Sequence, residues 1–378
     1  MVAGDFPGIR GGAYDPREMA DSLPPAKPLY RTHRGVAYVG DSLDGMKRFL
    51  KDESVALFMT SPPFALGRAK EYGNEPEERY TSWFREFALV MWDKLRADGS
   101  LIIDLGGAWR RGRPVRSLYQ FKLLLELCEN LGDKSFHLAH EFYWYNPSKM
   151  PLPAQWVNVD RCRVKDSVNI IWWLSKSERP KANNRKVLKP YSPDMEALLE
   201  RQSYNGGRRP NGTKVNPETW KVRHAGAIPP NVFEAPPDLN GSGVGPENFI
   251  RVGGSESASR YHRAFKALAE RHNGSSDLAV VARKHPARFP LQIPRFFIDF
   301  LTEPGDLVVD AFAGSNVTGQ AAEETLRRWR AFELHRYYLE PSIARFDSYL
   351  RGTMKWLDDV PPVLDEVDPA LYAAGRTS

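Results

Sequence analysis

Val55-Ala56-Leu57-Phe58-Met59-Thr60-Ser61-Pro62-Pro63-Phe64 is the stretch around which the rest of the chain is organised. Its first six residues are apolar without alternation, the pattern of a parallel strand buried on both faces. Ser61-Pro62-Pro63-Phe64 therefore falls where a strand ends and a loop begins. Two consecutive prolines remove two backbone donors and hold two φ angles, leaving rigid carbonyls with no ladder to satisfy them. A hydroxyl, a free carbonyl and an aromatic ring side by side suit a planar base bearing an amino group. The oxygens accept from the amine and the ring stacks on the face. The structural alternative is that the prolines stop a strand and Phe64 caps the core.

Outward from this stretch, periodicity alternates. Residues 35–41 read as a short strand ending in Asp41, and 42–51 carry Leu43, Met46, Phe49 and Leu50 at helical spacing. Residues 65–76 show neither period and form a candidate lid. Helical patterns at 80–95 and 118–131 flank the strand pattern at 100–104. The β-rich runs 136–145 and 168–174 then read as a hairpin with a long connection. This is the pattern of a doubly wound, mostly parallel α/β sheet with an antiparallel hairpin at one edge. Residues 177–282 lose both periods, with helical patches at 195–201 and 257–271, and read as an inserted loop-rich module. Regular α/β returns at 283–356, with a helix at 296–301, a strand at 305–310, a helix at 320–328, a strand at 330–334 and a last helix at 342–350. The implied organisation is a mobile arm over 1–28, a first half over 29–176, the module, a second half over 283–356 and an acidic tail over 357–378.

The second half holds the other informative stretch, Asp310-Ala311-Phe312-Ala313-Gly314-Ser315-Asn316, with Glu333 lying 23 residues after Asp310. A strand, a glycine turn, a helix and a later acid form the layout of a nucleotide-type cofactor site, the acid holding ribose hydroxyls. The turn lacks a phosphate-binding Gly-Lys-Ser/Thr and does not match Gly-x-Gly-x-x-Gly. This weakens a nicotinamide oxidoreductase. Asp310 would repel a pyrophosphate and attract an ammonium or sulfonium. Ser61 and Asp310 would be neighbours if their strands are the two central ones, because ligands bind at the strands' carboxyl ends beside the switch point. Asp41, a third strand end, suits an exocyclic amine on the cofactor or, equally, a helix N-cap.

Composition is that of a water-soluble globular chain, 42% hydrophobic and 26% charged over 378 residues. No stretch reaches the roughly 20 apolar residues of a membrane span. The N-terminus lacks a signal pattern, and a cytoplasmic setting is expected. Cys128 and Cys162 have neither metal nor disulfide spacing, so no metal is expected. The net charge is +6, yet residues 175–290 alone hold 20 Lys+Arg against 11 Asp+Glu. That basic excess fits either a polyanion-binding face or a solvated one.

Together these residues resemble the β group of S-adenosylmethionine-dependent amino-methyltransferases of DNA, whose catalytic motif precedes the cofactor motif. Ser61-Pro62-Pro63-Phe64 is similar to the catalytic motif and 310–316 to the cofactor loop. Residues 285–290 are similar to the segment before that loop, and Gly40-Asp41-Ser42 to a cofactor-side motif of some members. The resemblance covers most of 30–350, the basic module standing where the family carries its variable target-recognition region. It implies a permuted class I methyltransferase fold that acts on double-stranded DNA with S-adenosylmethionine. It implies cofactor contacts from Asp41, Phe289, Asp310, Phe312, Gly314, Ser315, Asn316 and Glu333. Arg208, Arg209, Lys214, Lys221, Arg223 and His224 are expected to hold phosphates or base edges. Serine at the head of the motif is typical of cytosine N4, whereas Asp or Asn usually goes with adenine N6. Carbon-5 methylation needs a Pro-Cys nucleophile, and Leu127 and Arg161 precede the two cysteines. Trp144-Tyr145-Asn146 would line the flipped-base pocket or simply fill the core. Adenine N6, an RNA base and a silent DNA-binding subunit are the rival functions. A homodimer and a cognate restriction endonuclease encoded nearby complete the expected partners.

Overall fold

The computed structural model describes residues 23–65, 75–147, 149–202, 207–210, 212, 214–216, 218, 221–234, 250–251 and 290–346. Its strands are β1 (Lys27–Arg31), β2 (Gly35–Val39), β3 (Val55–Thr60), β4 (Leu95–Gly106), β5 (His137–Tyr145), β6 (Val168–Ser175), β7 (Gly207–Arg208), β8 (Lys214–Val215), β9 (Val232–Glu234), β10 (Ile250–Arg251), β11 (Leu307–Asp310) and β12 (Arg328–Glu333). Its helices are α1 (Ser42–Phe49), α2 (Tyr80–Lys94), α3 (Tyr119–Glu129), α4 (Pro193–Arg201), α5 (Gln292–Leu301), α6 (Val317–Glu324) and the short α7 (Arg336–Leu339).

Ten strands form one sheet in the order β1-β2-β12-β11-β3-β4-β6-β5-β9-β10. The run from β2 to β4 is parallel, and β6 is antiparallel to both β4 and β5. β3 sits in the middle, which is why all six of its side chains are buried. Its chain-order partner β4 lies on one side and β11 on the other, while β11 leads outward to β12. Crossovers thus leave the β3/β11 pair in opposite directions, which makes this pair the switch point.

Helices α1, α2 and α3 cover one face through Met46, Phe84, Phe87, Met91, Leu123 and Leu127. On the other face lie α5 and α6, through Ile293, Phe297, Leu301, Ala321 and Ala322. Helix α5 packs because its apolar positions recur every three to four residues and fall on one side. No helix among the described residues is long and apolar enough to cross a membrane.

Several boundaries differ from the periodicity. The arm expected over 1–28 ends earlier, because β1 starts at Lys27 and Ala26 is fully buried. Asp41 N also donates to Pro24 O at 2.8 Å, tying this stretch to the end of β2. The hairpin β5/β6 is present but not at the edge, since β9 of the inserted module pairs with β5 and buries Phe233. Helix α6 starts at Val317 rather than 320 because Asn316 caps it, and the last helix is replaced by α7 and a 3-10 segment, Glu340–Phe346. The helical patch at 257–271, most of the candidate lid and the acidic tail lie outside the described residues.

Candidate active site

Two clusters meet at the carboxyl ends of the central strands. At the end of β11, Asp310 is 2% exposed and takes three hydrogen bonds. Thr60 Oγ1, at the end of β3, donates to its Oδ1 at 2.8 Å, and Phe312 N donates to the same oxygen at 3.1 Å. Thr318 Oγ1 donates to Oδ2 at 2.7 Å. Asp310 thus stitches the two central strands and the glycine turn together. At the end of β12, Glu333 accepts from Gly314 N at 2.8 Å and from His335 N at 3.0 Å. Gly40 N donates to Glu333 O at 3.0 Å, which brings Asp41 to the same edge. Burial pushes Asp310 up to about 6 and Glu333 up to about 7, the Asp310 charge adding to the latter. Neither carboxyl makes an ion pair among the described residues, so this donor set suits a cationic ligand with hydroxyls to bind.

The other residues predicted for this cluster divide. Asp41 is the N-cap of α1, accepting from Leu43 N at 3.0 Å with one of its oxygens. Phe312 is half-buried and packs among Trp83, Phe84 and Phe87. Asn316 corrects the expectation of a ligand contact. It is fully buried, caps α6 through Gly319 N at 3.0 Å, and donates to Tyr30 Oη at 2.9 Å, so both ends of its amide are engaged inside the protein. Gly319 must be glycine for that cap, because a Cβ there would sit 2.2 Å from Asn316 Oδ1. Ser315 also faces inward, its Oγ accepting from Arg345 at 3.0 Å. Phe289 lies outside the described residues.

At the end of β3, Ser61, Pro63 and Phe64 are half-buried and Pro62 is buried. Ser61 Oγ donates towards Asp104, 3.2 Å from its carbonyl and 3.3 Å from Oδ2. Asp104, 2% exposed on β4, also accepts from Asn169 Nδ2 on β6 at 3.2 Å. Asn169 Oδ1 in turn accepts from Lys149 Nζ at 2.6 Å. Burial raises Asp104 to about 6, while the Asn169 hydrogen bond, the Lys149 charge and Ser61 pull it down. The Phe64 ring lies against Gly106, where a Cβ would come within 2.3 Å of it. Helix α3 fixes that platform: Tyr119 Oη donates to Gly106 O, and Gln120 Nε2 to Leu105 O at 2.8 Å.

A buried hydrogen-bond acceptor thus stands behind a strand-end hydroxyl, next to a glycine turn flanked by two buried carboxyls. A family model described as DNA methylase matches residues 55–346. Type II methyltransferase M.PvuII from Proteus hauseri is 43% identical over 322 residues, 85% of this chain and 86% of the relative. The chain belongs to the DNA methylase family. A solved structure of PvuII DNA methyltransferase (cytosine-N4-specific) superposes on this methylase with a TM-score of 0.61 and 40% identity, covering 85% of this chain and 89% of that one. Type II methyltransferase M.ScaI from Streptomyces caespitosus is a more distant relative, 22% identical over 354 residues and covering 90% of each chain.

Sequence reasoning missed Asp104, Asn169 and Lys149, which come from three separate segments. The one available signal was an acid closing the apolar run Leu101-Ile102-Ile103. It also missed a basic surface beside the methylase motif, where loops 107–116 and 146–167 lock together. Trp109 and Trp156 pack at 5.4 Å between centroids, Arg163 Nε donates to Pro114 O at 3.0 Å, and Arg116 pairs with Asp166 at 2.5 Å. Arg111, Arg113 and Arg161 stand exposed on these loops and form no ion pair among the described residues. In the inserted module Arg208, Arg209, Lys214 and His224 are exposed, whereas Lys221 pairs with Glu218 and Arg223 with Glu196. Trp144 is 7% exposed and belongs to the core. Among the described residues no group of His, Cys, Asp and Glu could hold a metal ion.

Proposed function

We propose that this methylase transfers a methyl group from S-adenosylmethionine to the exocyclic N4 of cytosine in double-stranded DNA, as the modification enzyme of a restriction–modification system. The observation that carries the reading is the Ser61–Asp104 pair at the strand end adjoining the Asp310/Glu333 cluster. When bound, S-adenosylmethionine supplies an electrophilic methyl group on a sulfonium. Glu333 would hold its ribose hydroxyls, and the Asp310 and Glu333 charges favour its cationic end. The backbone at Gly314, fixed by Glu333, lets it approach closely.

The target base leaves the duplex at a cost of a few kcal/mol and stacks on Phe64. Its amine donates to Ser61 Oγ and to the Pro62 carbonyl, which draws the nitrogen lone pair out of ring conjugation. Ser61 passes its own proton to Asp104, whose pKa of about 6 leaves it mostly ionised, and so able to accept, at neutral pH. Most of the acceleration comes from positioning and from dipoles already in place. The exposed arginines of the two interlocked loops and the exposed cations of the module grip the phosphates on either side of the flipped base. The reading includes a cognate endonuclease encoded nearby, a cytoplasmic setting and a homodimer, the last to be read by light scattering.

The test is nucleoside mass spectrometry of DNA treated with the protein and S-adenosylmethionine. N4-methylcytosine is the expected product. N6-methyladenine would overturn the role given to Ser61, and modification of RNA alone would overturn the choice of duplex.

A further inference from the structure

Asp104 is nearly inaccessible, and an ionised carboxylate in such a place requires compensation. Its polar surroundings come from four directions. Ser61 faces it from the end of β3, Asn169 from β6, and Tyr119 from α3, whose hydroxyl is already committed to Gly106 O. Lys149, just beyond β5, faces it through Asn169, and Arg116 stands on the same side. Arg116 is paired with Asp166 at 2.5 Å, and both also act on Lys149, Asp166 favouring its charge and Arg116 opposing it. Among the described residues, Lys149 is the cation whose charge reaches Asp104, and it is shared with Asp166.

The geometry of the relay is directional. Lysine can only donate and an ionised aspartate can only accept, whereas an asparagine amide does both. With Lys149 Nζ 2.6 Å from Asn169 Oδ1, the amide must turn its Nδ2 towards Asp104, where it sits 3.2 Å from Oδ1. The other carboxylate oxygen is then left to Ser61. Without the lysine, the amide oxygen loses its donor, and only the carboxylate's own charge keeps Nδ2 turned towards it.

We propose that Lys149 is a positioning residue for methyl transfer, acting through Asn169 to keep Asp104 ionised and aimed at Ser61. The proposal rests on the role given above to Ser61 and Asp104. As N4 bonds to the methyl carbon and the carbon–sulfur bond breaks, one proton must leave N4. It moves to Ser61 Oγ while the serine proton moves to Asp104 Oδ2, and Asp104 later returns that proton to water. Lys149 touches none of the reacting atoms. Its effect is on the pKa of Asp104, which desolvation raises and the Lys149 charge lowers.

The experiment compares wild type, Lys149→Met and Lys149→Arg in two ways. The first is the Asp104 carboxyl titration in the ligand-free protein by infrared difference spectroscopy, with Asp104→Asn as the reference. The second is the pH profile of kcat. In Lys149→Met the Asp104 titration should move up by about one to two pH units. The acid limb of kcat should move with it, lowering turnover between about twofold and tenfold at pH 7 with recovery by pH 9 and little change in KM for S-adenosylmethionine. Lys149→Arg should restore most of both. An unmoved titration and an unmoved pH profile in a folded Lys149→Met protein would overturn the proposal, as would a loss of turnover equal at every pH. Should wild type make no N4-methylcytosine, the reading of the reaction fails, while the titration still reports the Lys149–Asp104 coupling by itself.

Discussion

The two clusters at the carboxyl edge of the sheet are built to different tightness. On the side proposed for the cofactor, Asp310, Glu333, Gly314 and Asn316 bond to one another's segments at 2.7–3.1 Å, and every polar side chain among them is buried. On the side proposed for catalysis, the bonds that reach Asp104 are 3.2–3.3 Å, and Ser61 and Phe64 are half-exposed. A ligand bound mainly by charge and backbone shape gains from a rigid cradle. A catalytic hydroxyl must be free to exchange its protein partner for an amine, and catalytic hydrogen bonds tighten only when the substrate arrives. The hydrogen bonds of the first cluster are all made within the protein, whereas Ser61 has room to change partners.

The sharpest break in this comparison is Ser61→Ala. If the loose side serves chemistry alone, turnover should fall by about 10² to 10⁴-fold, while S-adenosylmethionine affinity measured by calorimetry stays at the wild-type value. Activity at the wild-type level would remove Ser61 from the mechanism. Next in size is the combined replacement of Arg111, Arg113 and Arg161 by alanine. Duplex affinity should weaken, and the slope of log K against log salt should become shallower by about 0.9 for each phosphate that is no longer neutralised. An unchanged slope would leave the module as the sole DNA surface.

On the tight side, Asn316→Ala removes a cap whose backbone φ of 52° suits asparagine better than alanine. A loss of about 1–2 kcal/mol is expected in denaturant unfolding, with weaker cofactor binding, because the loop that presents Gly314 loosens. The smallest effect is a matter of protons. Asp310 and Glu333 have folded pKa values raised to about 6 and about 7, above their ordinary 3.8 and 4.5. Their contribution to stability is complete below about pH 4 and is lost as pH rises through 6 and 7. The ligand-free protein should therefore lose this increment of melting temperature between about pH 4 and pH 7, with little further change above it. A cationic ligand favours the ionised forms, so S-adenosylmethionine should release protons at pH 6.5 and none at pH 8.5. Calorimetry in two buffers of different ionisation enthalpy reads this directly.

Both motif segments were legible because each is local. The apolar run ending in Ser61-Pro62-Pro63-Phe64 and the strand-turn-helix after Asp310 announce strand ends by their own composition, and the order of strands and helices announces a doubly wound sheet. Glu333 was legible through its distance from Asp310. Asp41 and Asn316 were ambiguous because the side chains that suit a polar ligand also suit a helix cap; both cap a helix, through Leu43 N and Gly319 N, and Asp41 does so with one of its two oxygens.

What the chain determined alone was therefore the class of the sheet, doubly wound and mostly parallel, and the chemistry of the tetrapeptide and the glycine turn, since strand period, proline and glycine act within a few residues. Tertiary structure decided what stands behind Ser61. Asp104, Asn169 and Lys149 occupy three segments that share no motif, and they meet because β6 runs antiparallel between β4 and β5, setting the start of one strand beside the ends of two others. Burial then does what no local pattern can: it raises the Asp104 pKa, and it makes one buried amide and one lysine the groups that bring it back down.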